Sequence, residues 1–220
     1  MKKFILPLLL LLFVGSIMAV ESEPSAVVGY VKYDLVAGNN TIALPMDQPY
    51  AMAGEIGNAI GATAVGYFNT ATQAWTTALK TMFGTWTNNF AVSNGMPIWI
   101  TVADAATFYS IGELPGTEPN YALVSGNNMV MVPLSSSDLT TSALVGGNIP
   151  GATAVGYFNT ATQAWTTSLK TMFGTWTNGF ATSIGDPLWV TTNAAGSWPS
   201  PPSREEPGTI RATKKVSEKG

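Results

Sequence analysis

The chain has 220 residues, with 10 basic residues against 13 acidic ones and neither cysteine nor histidine. The lack of cysteine excludes disulfides and thiolate–metal sites, and the lack of histidine removes the most common general base and metal ligand. Charged residues make up 10% of the chain, against roughly 25% in a typical soluble domain. We therefore expect a non-enzymatic protein without cofactors, whose polar, uncharged surface suits carbohydrate or self-association better than nucleic acid.

The N-terminus predicts a secretory signal peptide over residues 1–19. Lys2 and Lys3 precede the apolar run Phe4–Val14, and small residues around Ala19 follow it. This order of segments is typical of a cleaved signal, and the run is about half the roughly 20 residues of a spanning helix. The expected location is secreted or cell-surface, the alternative is an uncleaved anchor, and no later segment is long enough to span a membrane.

An internal repeat dominates the rest of the chain. Gly61–Asn88 recurs as Gly151–Asn178, and Ala78 becoming Ser168 is the single change. Looser similarity continues on both sides, at an offset of about 88 residues upstream of this block and 90 within and after it. Self-similarity of this kind indicates tandem copies of one unit. The sequence predicts module 1 at residues 27–115, a linker at 116–120 and module 2 at 121–199.

The first part of each module predicts strands and a short helix. Two β-prone runs flank Gly38–Asn40, and such a turn between strands is a hairpin signal. The spacing of apolar residues over Ala51–Ile60 then predicts a helix. Its counterpart in module 2 contains Ala143–Val145, with Ser137–Asp138 as the expected N-cap.

The second part of each module predicts a further hairpin. Ala64–Phe68 and Ala74–Thr77 flank a polar turn, although apolar spacing over Ala71–Phe83 also fits a helix. The density of threonine and aromatic residues favours strands, and Pro97–Val102 predicts a closing strand. The fold class is therefore mainly β: two tandem small antiparallel modules, sandwich- or barrel-like, each with one short helix.

Carboxylates offer a weak case for catalysis. Paired acids are the arrangement that glycoside hydrolysis needs, but the acids of one module do not recur convincingly in the other. A small hydrolase therefore ranks last among the hypotheses, with no catalytic or metal-binding residue assigned.

The tryptophans are the remaining chemical signal, because flat aromatic faces stack on sugar rings. Those of the first module recur in the second, and the alternative to ligand contact is a role in the core. The candidate ligand-stacking residues are Trp86, Trp176, Trp75 and Trp165.

The order of motifs resembles tandem β-rich modules of bacterial secreted and cell-surface proteins. The resemblance rests on a Gly-x-Asn-x-Ile-x-Leu-Pro segment, a Tyr and Trp in a hairpin, and a closing Gly-x-x-x-Trp-Ile strand. In module 1 the matching residues are Gly38, Asn40, Ile42, Leu44, Pro45, Tyr67, Trp75, Gly95, Trp99 and Ile100. The resemblance implies an accessory or structural role on exported proteins.

The C-terminal residues 200–220 are rich in proline and charge and predict a disordered tail. The leading functional hypothesis is a secreted or cell-surface structural or accessory protein that self-assembles through β-strand edges. Its expected partners are copies of itself or other surface components. The alternative is a carbohydrate-binding module whose partner is a polysaccharide.

Overall fold

A computed structural model of the protein describes residues 28–199. The predicted signal peptide at 1–19 and the predicted tail at 200–220 lie outside the described residues. Within the described range, none of the helices has the length and apolar character needed to cross a bilayer.

Each module contains the same series of elements in the same order. Module 1 consists of β1 (Val28–Leu35), β2 (Gly38–Ile42), α1 (Ala53–Ile60), β3 (Ala62–Asn69), β4 (Ala74–Lys80), β5 (Trp86–Thr87), β6 (Ile98–Val102) and β7 (Ala106–Glu113). Module 2 consists of β8 (Tyr121–Leu123), β9 (Gly126–Met131), α2 (Ser142–Asn148), β10 (Ala152–Asn159), β11 (Ala164–Lys170), β12 (Trp176–Thr177), β13 (Pro187–Thr192) and β14 (Gly196–Trp198).

Two five-stranded antiparallel sheets form the body of the protein. Their strand orders are β2-β6-β3-β4-β5 and β9-β13-β10-β11-β12, and the pairs β1–β7 and β8–β14 form separate two-stranded ribbons. The predicted fold class is confirmed: the described chain is mainly β and is built as two tandem antiparallel modules, each with one short helix. The sheets are open, so neither closes into a barrel.

The predicted hairpin around Gly38–Asn40 is wrong, because β1 pairs with β7 and β2 pairs with β6. The buried side chain of Asn40 explains the separation. Its amide accepts a hydrogen bond from the Val36 nitrogen at 2.9 Å and donates one to the Val36 oxygen at 2.9 Å. The Val36 main chain is thus satisfied locally, and β1 is free to pair elsewhere.

The predicted hairpin of β3 and β4 is confirmed, with Phe68 directly opposite Trp75. Asn69 stabilises the turn, since its side-chain oxygen accepts hydrogen bonds from the nitrogens of Ala71 and Thr72. The rival helix over residues 71–83 is wrong. Trp75 and Ala78 lie on opposite faces of β4, as the two-residue period of a strand requires, and Ala78 is buried.

Both predicted helices are present, but the predicted cap of the second is wrong. Helix α2 begins at Ser142, and the Thr141 hydroxyl caps it by accepting a hydrogen bond from the Leu144 nitrogen at 3.3 Å. A tertiary contact fixes where the helix starts: Thr141 forms a β-bridge with Ala181, so its main chain is extended and the helix begins after it. The cap therefore lies three residues beyond the Ser137–Asp138 pair.

Each module has a hydrophobic core of its own between its helix and its sheet. In module 1, Ile56 of the helix packs with Val65, Ile98 and Ile100 of the strands, and all four are buried. Trp99 lies between the two isoleucines in β6 and therefore points to the other face of the sheet. That other face is where the two modules meet.

Candidate functional site

The two modules contact each other through reciprocal pairs of residues. Gln163 of module 2 clamps the main chain of Asn39: its Oε1 accepts from the Asn39 nitrogen at 2.8 Å, and its Nε2 donates to the Asn39 oxygen at 3.0 Å. Gln73 of module 1 binds Asn127 in the same way, at 2.8 Å for both bonds. Equivalent residues thus exchange partners, which is the signature of a two-fold interface.

Six aromatic side chains fill the centre of this interface. Phe68 and Trp189 have ring centroids 4.6 Å apart, and the reciprocal pair Phe158 and Trp99 also lie at 4.6 Å. Such distances are those of favourable edge and offset contacts. We call this set the aromatic cluster; its members are Phe68, Trp75, Trp99, Phe158, Trp165 and Trp189.

Two tyrosines close the interface at its sides. The Tyr33 hydroxyl donates to the Gly185 oxygen at 3.0 Å, and the Tyr121 hydroxyl donates to the Gly95 oxygen at 2.6 Å. Burial raises the pKa of both tyrosines well above the ordinary value, so both hydroxyls remain donors. The interface is therefore a fixed one, and the two modules form one two-fold unit.

Trp75 and Trp165, two of the predicted ligand-stacking residues, belong to the aromatic cluster but remain 40% and 37% exposed. A cleft of about 240 Å³ opens beside them, lined also by Trp99 and Thr77. Both rings thus have a packing role and an accessible part. This cleft is the place in the described structure where tryptophans from both modules meet solvent together.

Trp86 and Trp176, the other two predicted ligand-stacking residues, lie elsewhere. The Trp86 ring covers Gly54 and Gly57 of α1, and its Nε1 donates to the Asn58 side chain at 3.1 Å. Trp176 covers Gly146 of α2 in the same manner. One face of each ring is therefore occupied by a helix.

The most exposed large apolar residues lie at two places that the sequence did not single out. Met82 and Phe83 are 92% and 85% exposed, and the values for Met172 and Phe173 are the same. Each pair stands in the turn between two paired strands, β4 and β5 in module 1 and β11 and β12 in module 2. We call Thr81–Thr85 and Thr171–Thr175 the hairpin tips.

Each tip has an ordered backbone. In the first, the Thr81 nitrogen donates to the Thr85 oxygen at 2.7 Å and the Gly84 nitrogen donates to the Thr81 oxygen at 3.0 Å. The two threonine hydroxyls are 2.7 Å apart, and Gly84 has a φ of 80°, a conformation that glycine adopts without strain. The second tip repeats these bonds. A signal was available in the sequence: an apolar pair occupies turn positions, where polar residues are usual.

The acidic residues show no grouping that points to a metal ion. Among residues 28–199 no cluster of three or more His, Cys, Asp or Glu side chains is present. Asp34 pairs with Lys32 at 2.9 Å. Asp186 lines a cleft between the modules where Met96 stands at the two-fold-related place, and burial raises the pKa of its carboxyl.

Comparison with protein families, with curated proteins and with solved structures found no match to this chain.

Proposed function

We propose that this chain is a secreted or cell-surface accessory protein that acts by binding, without catalysis, and that it attaches through its two hairpin tips. The observation that carries the proposal is the near-complete exposure of Met82 and Phe83 and of their equivalents in module 2. Large apolar side chains presented together to solvent are typical of interaction sites.

The architecture supports this use of the tips. Each tip is closed by main-chain hydrogen bonds, so its side chains are presented without a large loss of loop entropy on binding. The tight interface between the modules fixes the separation of the two tips. Two equivalent sites at a fixed separation strengthen attachment, without any new contact, wherever one target reaches both of them.

Attachment is tested with the mature chain, residues 20–220, labelled and mixed with cell envelopes of the organism that encodes it. The comparison protein carries Met82→Ser, Phe83→Ser, Met172→Ser and Phe173→Ser. We expect the wild-type chain to sediment with envelopes and the tip variant to remain in solution. Equal sedimentation of the two proteins would refute a role of the tips.

Secretion is tested separately with the full-length chain expressed in that organism. We expect the mature form outside the cell or on its surface, with an N-terminus near Val20 in the intact-mass spectrum. Retention of the unprocessed 220-residue chain in the cytoplasm would overturn this part of the proposal.

Carbohydrate binding is the second candidate function, favoured by the cleft beside Trp75 and Trp165. A glycan array probed with the mature chain tests it, with Trp75→Leu and Trp165→Leu as the variant. Leucine keeps part of the apolar volume in the interface but removes the flat ring. Binding that is equal in wild type and variant would remove this cleft as the sugar site.

A further inference from the structure

The shape of the hairpin tips narrows the class of partner. Met82 and Phe83 protrude from the end of a hairpin, so the apolar surface is convex. A folded protein partner would need two separate pockets at the spacing of the two tips. A lipid surface makes no such demand, because hydrocarbon is fluid and accepts an apolar side chain wherever it enters.

The distribution of positive charge points to the same partner. Residues 28–199 contain three lysines and no arginine, against eight carboxylates. Lys32 is paired with Asp34, whereas Lys80 and Lys170 directly precede the two tips and have no carboxylate partner in that range. Lys80 lies 5.9 Å from the centroid of the Trp86 ring at the base of its hairpin. Each tip thus combines an apolar end with a cation behind it.

The two-fold relation places the two tips in equivalent positions. A rotation axis carries every point to its equivalent at the same height along the axis, and the reciprocal contacts of Gln73 and Gln163 establish that relation. The two tips therefore lie at equal height along the axis and present the same side chains. Where both tips enter one membrane, the two weak insertions combine into a stronger attachment.

From the shape, the charge and the symmetry we propose that the hairpin tips dock the protein on an anionic lipid membrane. Met82, Phe83 and their equivalents enter the boundary between headgroups and acyl chains. Lys80 and Lys170 contact the lipid phosphates in the headgroup layer, outside the acyl chains. Apolar burial together with attraction to anionic lipid is the known basis of such interfacial binding. The inference rests on the proposed attachment through the tips and names its partner.

The test is co-sedimentation of the mature chain with protein-free vesicles. One set contains phosphatidylcholine with phosphatidylglycerol, and a second contains phosphatidylcholine alone. We expect the variant with four serines at the tips to bind the anionic vesicles at least tenfold more weakly than wild type, the change that loss of one buried phenylalanine produces. Residues 200–220 are the same in both chains, so their basic residues do not contribute to the difference.

Two further variants separate the contributions. Lys80→Gln with Lys170→Gln is expected to weaken binding to anionic vesicles severalfold and to remove most of its dependence on salt. The control is Ile111→Ser with Ile184→Ser, which removes exposed apolar side chains that do not belong to the tips and is expected to bind as wild type. Circular dichroism and the melting temperature verify that each variant is folded.

The results distinguish this inference from the proposed function. Envelope binding that depends on the tips, without binding to vesicles of either composition, would overturn lipid as the partner and leave attachment standing. Vesicle binding that is equal in wild type and in the four-serine variant would overturn the lipid inference. Envelope binding that is unaffected by the four serines would overturn both.

Discussion

Trp176 lies against helix α2 at a glycine, and this contact makes an alanine substitution informative. A Cβ atom added to Gly146 would lie 2.3 Å from two carbons of the Trp176 ring, far inside van der Waals contact. At the next residue, Gly147, the same atom would meet nothing within 4 Å. The two glycines are neighbours in one helix, so each is the control for the other.

The two substitutions are expected to change the free energy of unfolding in opposite directions. Overpacking costs about 1–3 kcal/mol, and the better helix propensity of alanine offsets about 1 kcal/mol of it. Gly146→Ala should therefore lower the free energy of unfolding by up to about 2 kcal/mol, whereas Gly147→Ala should raise it by up to about 1 kcal/mol. For a chain of this size each kcal/mol shifts the melting temperature by about 2–4 °C.

Urea denaturation followed by circular dichroism measures both changes, and tryptophan emission reports on the ring itself. Displacement of Trp176 in Gly146→Ala should shift its emission to longer wavelength. If Gly146→Ala is as stable as Gly147→Ala, the ring does not lie on the helix. Both of its faces would then be open to a ligand, as the sugar-stacking prediction for this residue requires.

Three further predictions concern the interface, pH and the sheet edges. Gln73→Ala and Gln163→Ala each remove two hydrogen bonds between the modules and should each lower the free energy of unfolding by about 1–2 kcal/mol; clearly unequal losses in calorimetry would contradict the two-fold relation. Burial raises the pKa of Asp186, so its charged form destabilises the folded state above that pKa and the penalty disappears as the pH falls below the unfolded value. Asp186→Asn should accordingly raise the melting temperature at pH 7 and change it little at acid pH, and a variant that is less stable at pH 7 would contradict this. Strand β5 pairs with only the last two residues of β4, and the remaining edge predicts concentration-dependent self-association that Ala74→Lys with Ala164→Lys reduces; light scattering that shows a strict monomer at high concentration would refute it.

Local features allowed several elements to be predicted from the sequence. The duplication is recognised directly from the identity of the two sequence segments. The β3–β4 hairpin is predicted by a polar turn between two β-prone runs. Helix α1 follows from its apolar spacing and ends at Gly61 in the left-handed region, with φ at 79°. In each case the deciding interactions connect residues that are close along the chain.

The pairing of β1 and β2 could not be predicted in this way. A Gly-Asn-Asn segment between strands looks like a hairpin turn, but the two strands belong to different sheets. The outcome depends on β6, some 60 residues beyond β2, and on β7, which lies still further along the chain and pairs with all eight residues of β1. A local turn motif contains no information about distant strands that compete for the same pairing edge.

The repeat and the presence of matched tryptophans in both modules are properties of the sequence alone. Their different placements are decided by the tertiary structure: Trp75 lies between the modules and Trp86 against a helix. Alternation along a strand assigns residues to two faces but does not say what covers each face. The two-fold packing of the modules covers the aromatic cluster and leaves Met82 and Phe83 with no cover in the described structure, and that difference turns an apolar pair in the sequence into a candidate attachment site.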